Sequence, residues 1–138
     1  MDEVKLTEDE TVKYLLKYLE SQEWKIISYC LGQKRGYDIV AERENERIII
    51  EVKGAKANDY SPTKRRKYFD SGQIKDHLGK AIVKSMETQN SFPNYKIGIA
   101  HPDDPYIRKT IGNLIKNVNK LGIIHFWVKS KGKVIVEE

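Results

Sequence analysis

The sequence predicts an α/β domain in which helices flank a mixed central sheet, and three observations lead to that prediction. Short runs rich in isoleucine and valine, typical of buried strands, recur along the chain. A polar break between two of these runs, at Glu44-Asn45, is typical of an antiparallel hairpin. Segments with apolar residues at helical spacing separate the later runs, as in parallel crossovers. We therefore expect the order helix, three strands, helix, strand, helix and two strands.

The length and the composition indicate one globular domain over residues 1–138. No apolar run approaches the roughly 20 residues of a membrane span, and the acidic, helical pattern of the N-terminus differs from that of a signal peptide. Cys30 is the single cysteine, which excludes an internal disulfide and a zinc cluster built from cysteines. The expected setting is the reducing cytoplasm, with no membrane partner.

The first helix is expected to begin after Thr7, which forms a capping box with Glu10. The helix extends to about residue 22, and its buried stripe consists of apolar residues at helical spacing: Val12, Leu15, Leu16 and Leu19. Glu8 lies on the same line of the helix, four residues before Val12. Residues 25–31 are expected to form the first strand of the sheet.

The central hairpin is expected at residues 37–41 and 47–53. If its turn centres on Glu44-Asn45, antiparallel partners have numbers that sum to 89, and Asp38 lies opposite Glu51. Side chains alternate along a strand, so Glu51 and Lys53 share one face, and Asp38 joins them in this register. Two carboxylates and one ammonium then converge in an apolar sheet, where charges are costly unless they pair or bind a metal.

The remaining elements alternate between helices and strands. Ser71 is expected to cap a second helix over residues 72–88, and residues 95–100 are expected to form a strand. A third helix over residues 106–121 is expected to end at Gly122 and to turn five residues inward: Ile107, Ile111, Leu114, Ile115 and Val118. Strands at residues 123–128 and 133–136 complete the predicted sheet.

Residues 54–69, called the basic segment below, follow the hairpin directly. The segment has no consistent period and is expected to form a long loop. Asp59 is its only acid, and its positive residues are Lys56, Lys64, Arg65, Arg66 and Lys67. Together with the net charge of +5, this distribution indicates a phosphate-binding segment, and a solvated charge run is the alternative. Tyr60 is expected either to stack on bases or to anchor the loop to the core.

Gly36-Tyr37-Asp38 and Glu51-Val52-Lys53-Gly54, in this order of elements, resemble the PD-(D/E)xK nuclease superfamily. That superfamily includes type II restriction enzymes, archaeal Holliday-junction resolvases and Mrr-like endonucleases. The resemblance covers roughly residues 7–100 in architecture, and its signature is three residues and their spacing. Tyr37 stands where the family has a proline. The resemblance implies a restriction-endonuclease-like three-layer core.

The resemblance also implies roles for individual residues. Asp38, Glu51 and the backbone oxygen of Val52 would bind Mg²⁺ or Mn²⁺, and such hard cations prefer oxygen ligands. Lys53 would orient the attacking water or stabilise charge on the phosphate. Many members add a glutamate from the first helix, for which Glu8 is the candidate, although stabilisation of the helix dipole is the simpler role. Many also place a polar residue early in the second helix, for which Gln73 is the candidate.

The expected function is a metal-dependent endonuclease that hydrolyses phosphodiester bonds in DNA. The small size favours a structure-selective enzyme that acts on junctions or branches, because reading base edges takes additional surface. Two strands of a duplex need two sites, so a homodimer is expected, through the C-terminal strand or the third helix. One alternative is a non-catalytic nucleic-acid-binding module, and another is a protein-interaction subunit of a defence or repair complex.

Overall fold

One mixed six-stranded sheet with helices on both faces forms the protein, so the predicted α/β class is confirmed. The computed structural model describes residues 5–58 and 68–138. In chain order the elements are α1 (Glu8–Ser21), β1 (Lys25–Tyr29), β2 (Ile39–Arg43), β3 (Glu46–Val52), α2 (Ser71–Ser91), β4 (Lys96–Pro102), α3 (Pro105–Ile111), α4 (Ile115–Lys120), β5 (Ile123–Val128) and β6 (Val134–Glu137).

The strands lie in the sheet in the order of the sequence, from β1 at one edge to β6 at the other. β1, β2 and β3 are antiparallel neighbours, β3, β4 and β5 are parallel, and β6 returns antiparallel to β5. The two parallel connections run through α2 and through α3 with α4, as expected for crossovers. In the described part of the chain, no helix has the length and apolar character needed to cross a membrane.

The sheet separates two buried clusters, which gives the fold three layers. On one face, α1 packs against the hairpin and the neighbouring strands, with a cluster that includes Val12, Leu15, Leu19, Ile39, Ile50 and Phe126. On the other face, α2, α3 and α4 cover a cluster that includes Ile74, Leu78, Ile99, Ile111, Ile123 and Trp127. The alternation of side chains along β4 and β5 supplies residues to both clusters.

The predicted third helix at residues 106–121 is wrong as a single element. The segment folds as α3, a 3₁₀ turn at Gly112–Leu114 and α4, because Ile111 leaves the helical region with φ −126° and ψ −3°. Leu114, predicted to point inward, is 43% exposed, whereas Ile107, Ile111, Ile115 and Val118 are buried as predicted. The pair Gly112-Asn113 explains the break, since both residue types have low helix propensity.

Candidate functional site

The β2–β3 hairpin brings together Asp38, Glu51 and Lys53. Its pairs, from Arg43↔Glu46 to Ile39↔Ile50, have the predicted register. Asp38 directly precedes Ile39 in the chain, at the end of this ladder. One carboxylate oxygen of Asp38, Oδ2, accepts a hydrogen bond of 2.8 Å from the backbone N–H of Val52. Lys53 Nζ lies 3.6 Å from Glu51 Oε2. The three charged side chains therefore converge at the end of the hairpin, as the register predicts.

The start of α1 packs against the end of β3 and places Glu8 at the same site. Thr7 forms a parallel bridge with Lys56, and the N–H of Ala55 donates to the carbonyl of Leu6 at 2.8 Å. The contact is close because Gly54 has no side chain: a Cβ there would lie 2.4 Å from the backbone nitrogen of Glu8. This close approach explains why a glycine follows Lys53.

Burial and neighbouring charges raise the pKa values of two carboxyl groups of this site, those of Glu8 and Asp38. Burial raises the pKa of Glu8 to about 7, and the charges of Asp38 and Glu51 add to that effect while Lys53 opposes it. Burial and then Glu51 raise the pKa of Asp38 to about 6, against the hydrogen bond from Val52 and the charges of two lysines. Glu8, Asp38 and Glu51, called the acidic cluster below, thus form a site where added positive charge is favourable.

The acidic cluster fits a hard divalent cation by its donor chemistry. Asp38 and Glu51 supply carboxylate oxygens, and the Val52 carbonyl belongs to the same strand end. Magnesium usually takes one or two carboxylates and completes its shell with waters and phosphate oxygens. Within residues 5–58 and 68–138, no group of three or more His, Cys, Asp or Glu side chains has the arrangement of a metal cage. The fit is therefore to a cation that shares its shell with water and substrate.

Lys84 is a member of the site that the sequence did not reveal. Its Nζ lies 3.3 Å from Glu51 Oε1 and 5.9 Å from the centroid of the Tyr37 ring. Partial burial acts to lower the pKa of Lys84, but the charge of Glu51, the hydrogen bond to it and the charge of Asp38 outweigh burial and raise the pKa. Lys84 follows His77 by two helical turns, which is a sequence signal for a shared helix side but not for a partner.

Gln73 has a capping role in α2. Its N–H donates to Asp70 Oδ1 at 2.8 Å, and its side-chain oxygen accepts from the N–H of Asp70 at 3.0 Å. Asp70 is therefore the N-cap of the helix, and the prediction that Ser71 caps it is wrong. His77, one turn further on, packs edge-on against Phe69, and burial and then Lys53 lower its pKa. Of these two α2 residues, His77 has the electrostatic link to the site.

A buried histidine pair lies on the neighbouring strands β4 and β5, where His101 follows the residue that pairs with the backbone of Lys53. His101 Nδ1 and His125 Nε2 are 2.9 Å apart, and both side chains are buried. Among the described residues, the outer nitrogens, His101 Nε2 and His125 Nδ1, have no hydrogen-bond partner. Burial, followed by the charge of Lys53, lowers the pKa of His101 to about 3. Burial, followed by His101, lowers the pKa of His125 well below its ordinary value. Both rings are therefore neutral at physiological pH.

The basic segment is described only at its two ends. Lys56 bridges to Thr7, and the N–H of Phe69 donates to the carbonyl of Ala55 at 3.0 Å. The two described ends of the segment thus lie together, with Phe69 bonded to Ala55, the residue that follows Gly54. Phe69 packs against the core cluster on the α2 face of the sheet. The remaining predicted nucleic-acid-binding residues lie outside the described residues: Tyr60, Lys64, Arg65, Arg66 and Lys67.

Comparison with known proteins gives a fold and no family. No family model matches the chain, and no curated protein matches it. Among solved structures, the crystal structure of an FdxN element excision controlling factor protein from Anabaena variabilis is similar, with a TM-score of 0.60. The match covers 92% of this chain and 96% of that chain at 18% sequence identity. At that identity the likeness shows the fold alone, and it agrees with the α/β architecture.

Proposed function

We propose that the protein is a metal-dependent endonuclease of the PD-(D/E)xK kind, which hydrolyses phosphodiester bonds in DNA. The observation that carries the proposal is the convergence of Asp38, Glu51 and Lys53 at one hairpin end, with Glu8 joining from α1. Clustered, half-buried carboxylates beside an ammonium are costly for stability alone. They are useful where a divalent cation and a phosphate meet.

The cation would be Mg²⁺ or Mn²⁺, held by the carboxylates of Asp38 and Glu51 and by the backbone oxygen of Val52. When bound, it supplies an activated water and polarises the scissile phosphate. The N–H of Val52 fixes the orientation of the Asp38 carboxylate, because it donates to Oδ2. The pairing of β3 with β4 in turn fixes the backbone at this strand end.

Two further side chains of the chain would act on the reacting groups. Lys53 is anchored at its backbone, whose N–H donates to the carbonyl of Ala100 at 2.9 Å. Its ammonium would stabilise the negative charge that develops on the phosphate oxygens. Glu8 would hold the attacking water by a hydrogen bond to its carboxylate. The neutral His101–His125 pair adds no competing positive charge close to Lys53.

The substrate would be DNA held through its backbone phosphates. The two described ends of the basic segment lie together close in sequence to Lys53: the N–H of Phe69 donates to the carbonyl of Ala55, and Lys56 bridges to Thr7. A positive segment at this place would bind phosphates next to the reactive cluster. We keep structure-selective cleavage of branched DNA as the specific proposal, because the small domain has little surface for reading base edges. The similar Anabaena protein is named as an excision controlling factor, and that name is compatible with this proposal.

A homodimer, acting in the cytoplasm, belongs to the same proposal. Cleavage of both strands needs two sites, and the predicted interface elements expose apolar side chains: Tyr106 on α3, Leu114 in the 3₁₀ turn and Ile135 on β6. Sedimentation velocity tests this part directly. A monomer at concentrations that support cleavage would contradict it without affecting the chemistry proposed for the acidic cluster.

A non-catalytic nucleic-acid-binding module is the second candidate. The same fold and the same basic segment would support it, and so would a subunit role in a defence or repair complex. The acidic cluster argues against it, because carboxylates close to phosphates repel them unless a cation lies between. The two candidates differ in whether any DNA is cut.

The deciding experiment incubates the protein with four-way junctions, flaps, single strands and plain duplex. Each substrate is tested with Mg²⁺, with Mn²⁺ and with chelator. Asp38→Asn, Glu51→Gln and Lys53→Ala should bind DNA and fail to cleave it. Glu42→Gln is the matched control, because Glu42 is a carboxylate on the same hairpin, paired with Arg47 and away from the acidic cluster. Binding without cleavage by the wild type on every substrate would favour the second candidate.

A further inference from the structure

A lysine ammonium lies close to each of the two carboxylate oxygens of Glu51. Lys84 Nζ lies 3.3 Å from Oε1, and Lys53 Nζ lies 3.6 Å from Oε2. The two lysines are held differently. Lys53 continues the strand that carries Glu51, and its side chain is 18% exposed; Lys84 reaches across from α2, and its side chain is 42% exposed. Lys84 is therefore the more exposed of the two ammonium groups, and it belongs to a helix rather than to the sheet.

We propose that Lys84 is an exchangeable counter-ion: it neutralises Glu51 until a divalent cation binds there, and it then moves to a phosphate oxygen of the nucleic acid. This inference rests on the proposed function, and it adds a coupling between cation binding and substrate binding. A divalent cation on Glu51 and an ammonium 3.3 Å from the same carboxylate compete for one negative charge. The divalent cation carries the larger positive charge, so it displaces the ammonium of Lys84 from Glu51.

The Lys84 side chain is already partly exposed, so its ammonium is close to solvent when it leaves Glu51. Lysine has a flexible four-carbon stem, so its ammonium can move several ångströms while the helix stays fixed. In its place beside Glu51 the ammonium already lies 5.9 Å from the centroid of the Tyr37 ring, within the range of a cation–π contact. A phosphate that approaches the acidic cluster from solvent would meet Lys84 before it meets Lys53, because Lys84 is the more exposed of the two. Lys84 thereby joins the phosphate-binding residues only after the cation is in place.

The exchange predicts opposite effects of one substitution on two binding steps. Without Lys84, the cation no longer competes with an ammonium for Glu51, so it should bind more tightly to the free protein. Without Lys84, the cation-loaded protein has lost a phosphate contact, so it should bind DNA more weakly. The coupling between cation and DNA should therefore fall, and by linkage it should fall equally in both directions. A lysine that only holds α2 against the sheet would not produce these opposite changes.

The test measures Mn²⁺ binding through the electron paramagnetic resonance signal of the free ion. Lys84→Gln should lower the dissociation constant for Mn²⁺ by about threefold or more, as expected for loss of one competing charge at a partly exposed site. Lys84→Arg keeps the charge and should restore the wild-type value. Lys80→Gln is the matched control, because Lys80 is an exposed lysine one turn earlier on α2 and should leave Mn²⁺ binding unchanged.

The second readout is the affinity for a branched DNA with phosphorothioate linkages, measured with and without Mn²⁺. In Lys84→Gln, the gain in DNA affinity on adding Mn²⁺ should be several-fold smaller than in the wild type. Unchanged or weaker Mn²⁺ binding in Lys84→Gln would overturn the exchange and leave the nuclease proposal standing. A wild type that does not bind Mn²⁺ would overturn the metal site itself, and the exchange with it.

Discussion

Two glutamates at the start of α1 have different surroundings and should have different roles. Glu10 Oε1 accepts from the N–H of Thr7 at 2.9 Å, so its carboxylate belongs to the capping box. The pKa of Glu8 is raised to about 7 by burial and by Asp38, so its carboxylate belongs to the acidic cluster. Which of the two would join the site could be predicted only from the helical phase, because Glu8 shares a line with Val12 and Glu10 does not.

We predict that Glu8→Gln slows DNA cleavage by about ten- to a hundred-fold, the range found when a group that supports a metal site is removed. Glu10→Gln is the control and should change the rate by less than about twofold, since a glutamine also completes a capping box. Single-turnover cleavage rates check both. Equal rates in the two variants would show that Glu8 has no part in the reaction.

The buried pair His101–His125 should make stability depend on pH. Both pKa values are lowered by burial, so the folded protein keeps the rings neutral while the unfolded chain takes up protons below pH 6.5. This contribution is complete above pH 6.5 and is lost as the pH falls toward the folded pKa of His101, about 3. The acidic cluster acts in the opposite direction, because the raised pKa values of Glu8 and Asp38 favour the folded state on protonation.

Comparison with a double variant, His101→Leu with His125→Leu, isolates the histidines from the carboxylates. Between about pH 7.5 and about pH 5, the wild type should lose on the order of 4 kcal/mol more unfolding free energy than the double variant, about half of it from each histidine. Urea denaturation at the two pH values measures the difference. Parallel pH dependence in both proteins would mean that the pair is not held neutral.

Among the elements, the end of β3 and the start of α1 depend on each other through Gly54. A Cβ at this position would lie 2.4 Å from the backbone nitrogen of Glu8 and 2.9 Å from the carbonyl carbon of Thr7. We predict that Gly54→Ala lowers the unfolding free energy by about 1–3 kcal/mol, as overpacking does. The substitution should also displace Glu8 from the acidic cluster and reduce cleavage.

Gly79 provides the matched control for Gly54 on α2. No atom lies within 4 Å of the place where its Cβ would be. Gly79→Ala should therefore raise the unfolding free energy by about 0.5–1 kcal/mol through helix propensity alone. Thermal unfolding of both variants checks the pair. A Gly54→Ala variant as stable as the wild type would show that the two elements can separate without cost.

The sequence predicts local elements of this fold better than breaks and long-range contacts. The hairpin register follows from the turn at Glu44-Asn45 and from the apolar alternation, both of which are local. Two residues of low helix propensity, Gly112 and Asn113, indicate the break, but the apolar period across them favours one continuous helix. The cap at Asp70 was visible as well, since Gln73 follows three residues later, but Ser71 is an equally good cap by residue type.

The residues of the site divide in the same way, into those that local sequence predicts and those that depend on tertiary packing. Asp38, Glu51 and Lys53 come from one hairpin, so strand alternation alone places them together. Lys84 comes from a different layer, and its contact with Glu51 depends on how α2 lies on the sheet. No spacing in the sequence encodes that angle. The pairing of His101 with His125 needs the β4–β5 register, which is also set by tertiary packing.

For the molecule as a whole, the net charge of +5 and the basic segment should govern the salt dependence of DNA binding. Neutralising the four consecutive positive residues should weaken binding most at low salt: Lys64, Arg65, Arg66 and Lys67. Each lost phosphate contact should reduce the slope of log affinity against log salt by about 0.9 on a duplex. The control neutralises four exposed lysines on α1 and α4: Lys13, Lys17, Lys116 and Lys120. Equal slopes in both sets would remove the basic segment from the interface.

The central claim, metal-dependent hydrolysis of DNA at the acidic cluster, is tested most directly by single-turnover cleavage of a labelled four-way junction. Protein in excess over DNA makes even a slow reaction visible. The account predicts cleavage with Mg²⁺ or Mn²⁺, none with chelator, and none with Asp38→Asn, which should still bind the junction. Cleavage that survives the chelator or the Asp38→Asn substitution would contradict the account, and so would a wild type that binds the junction and leaves it intact.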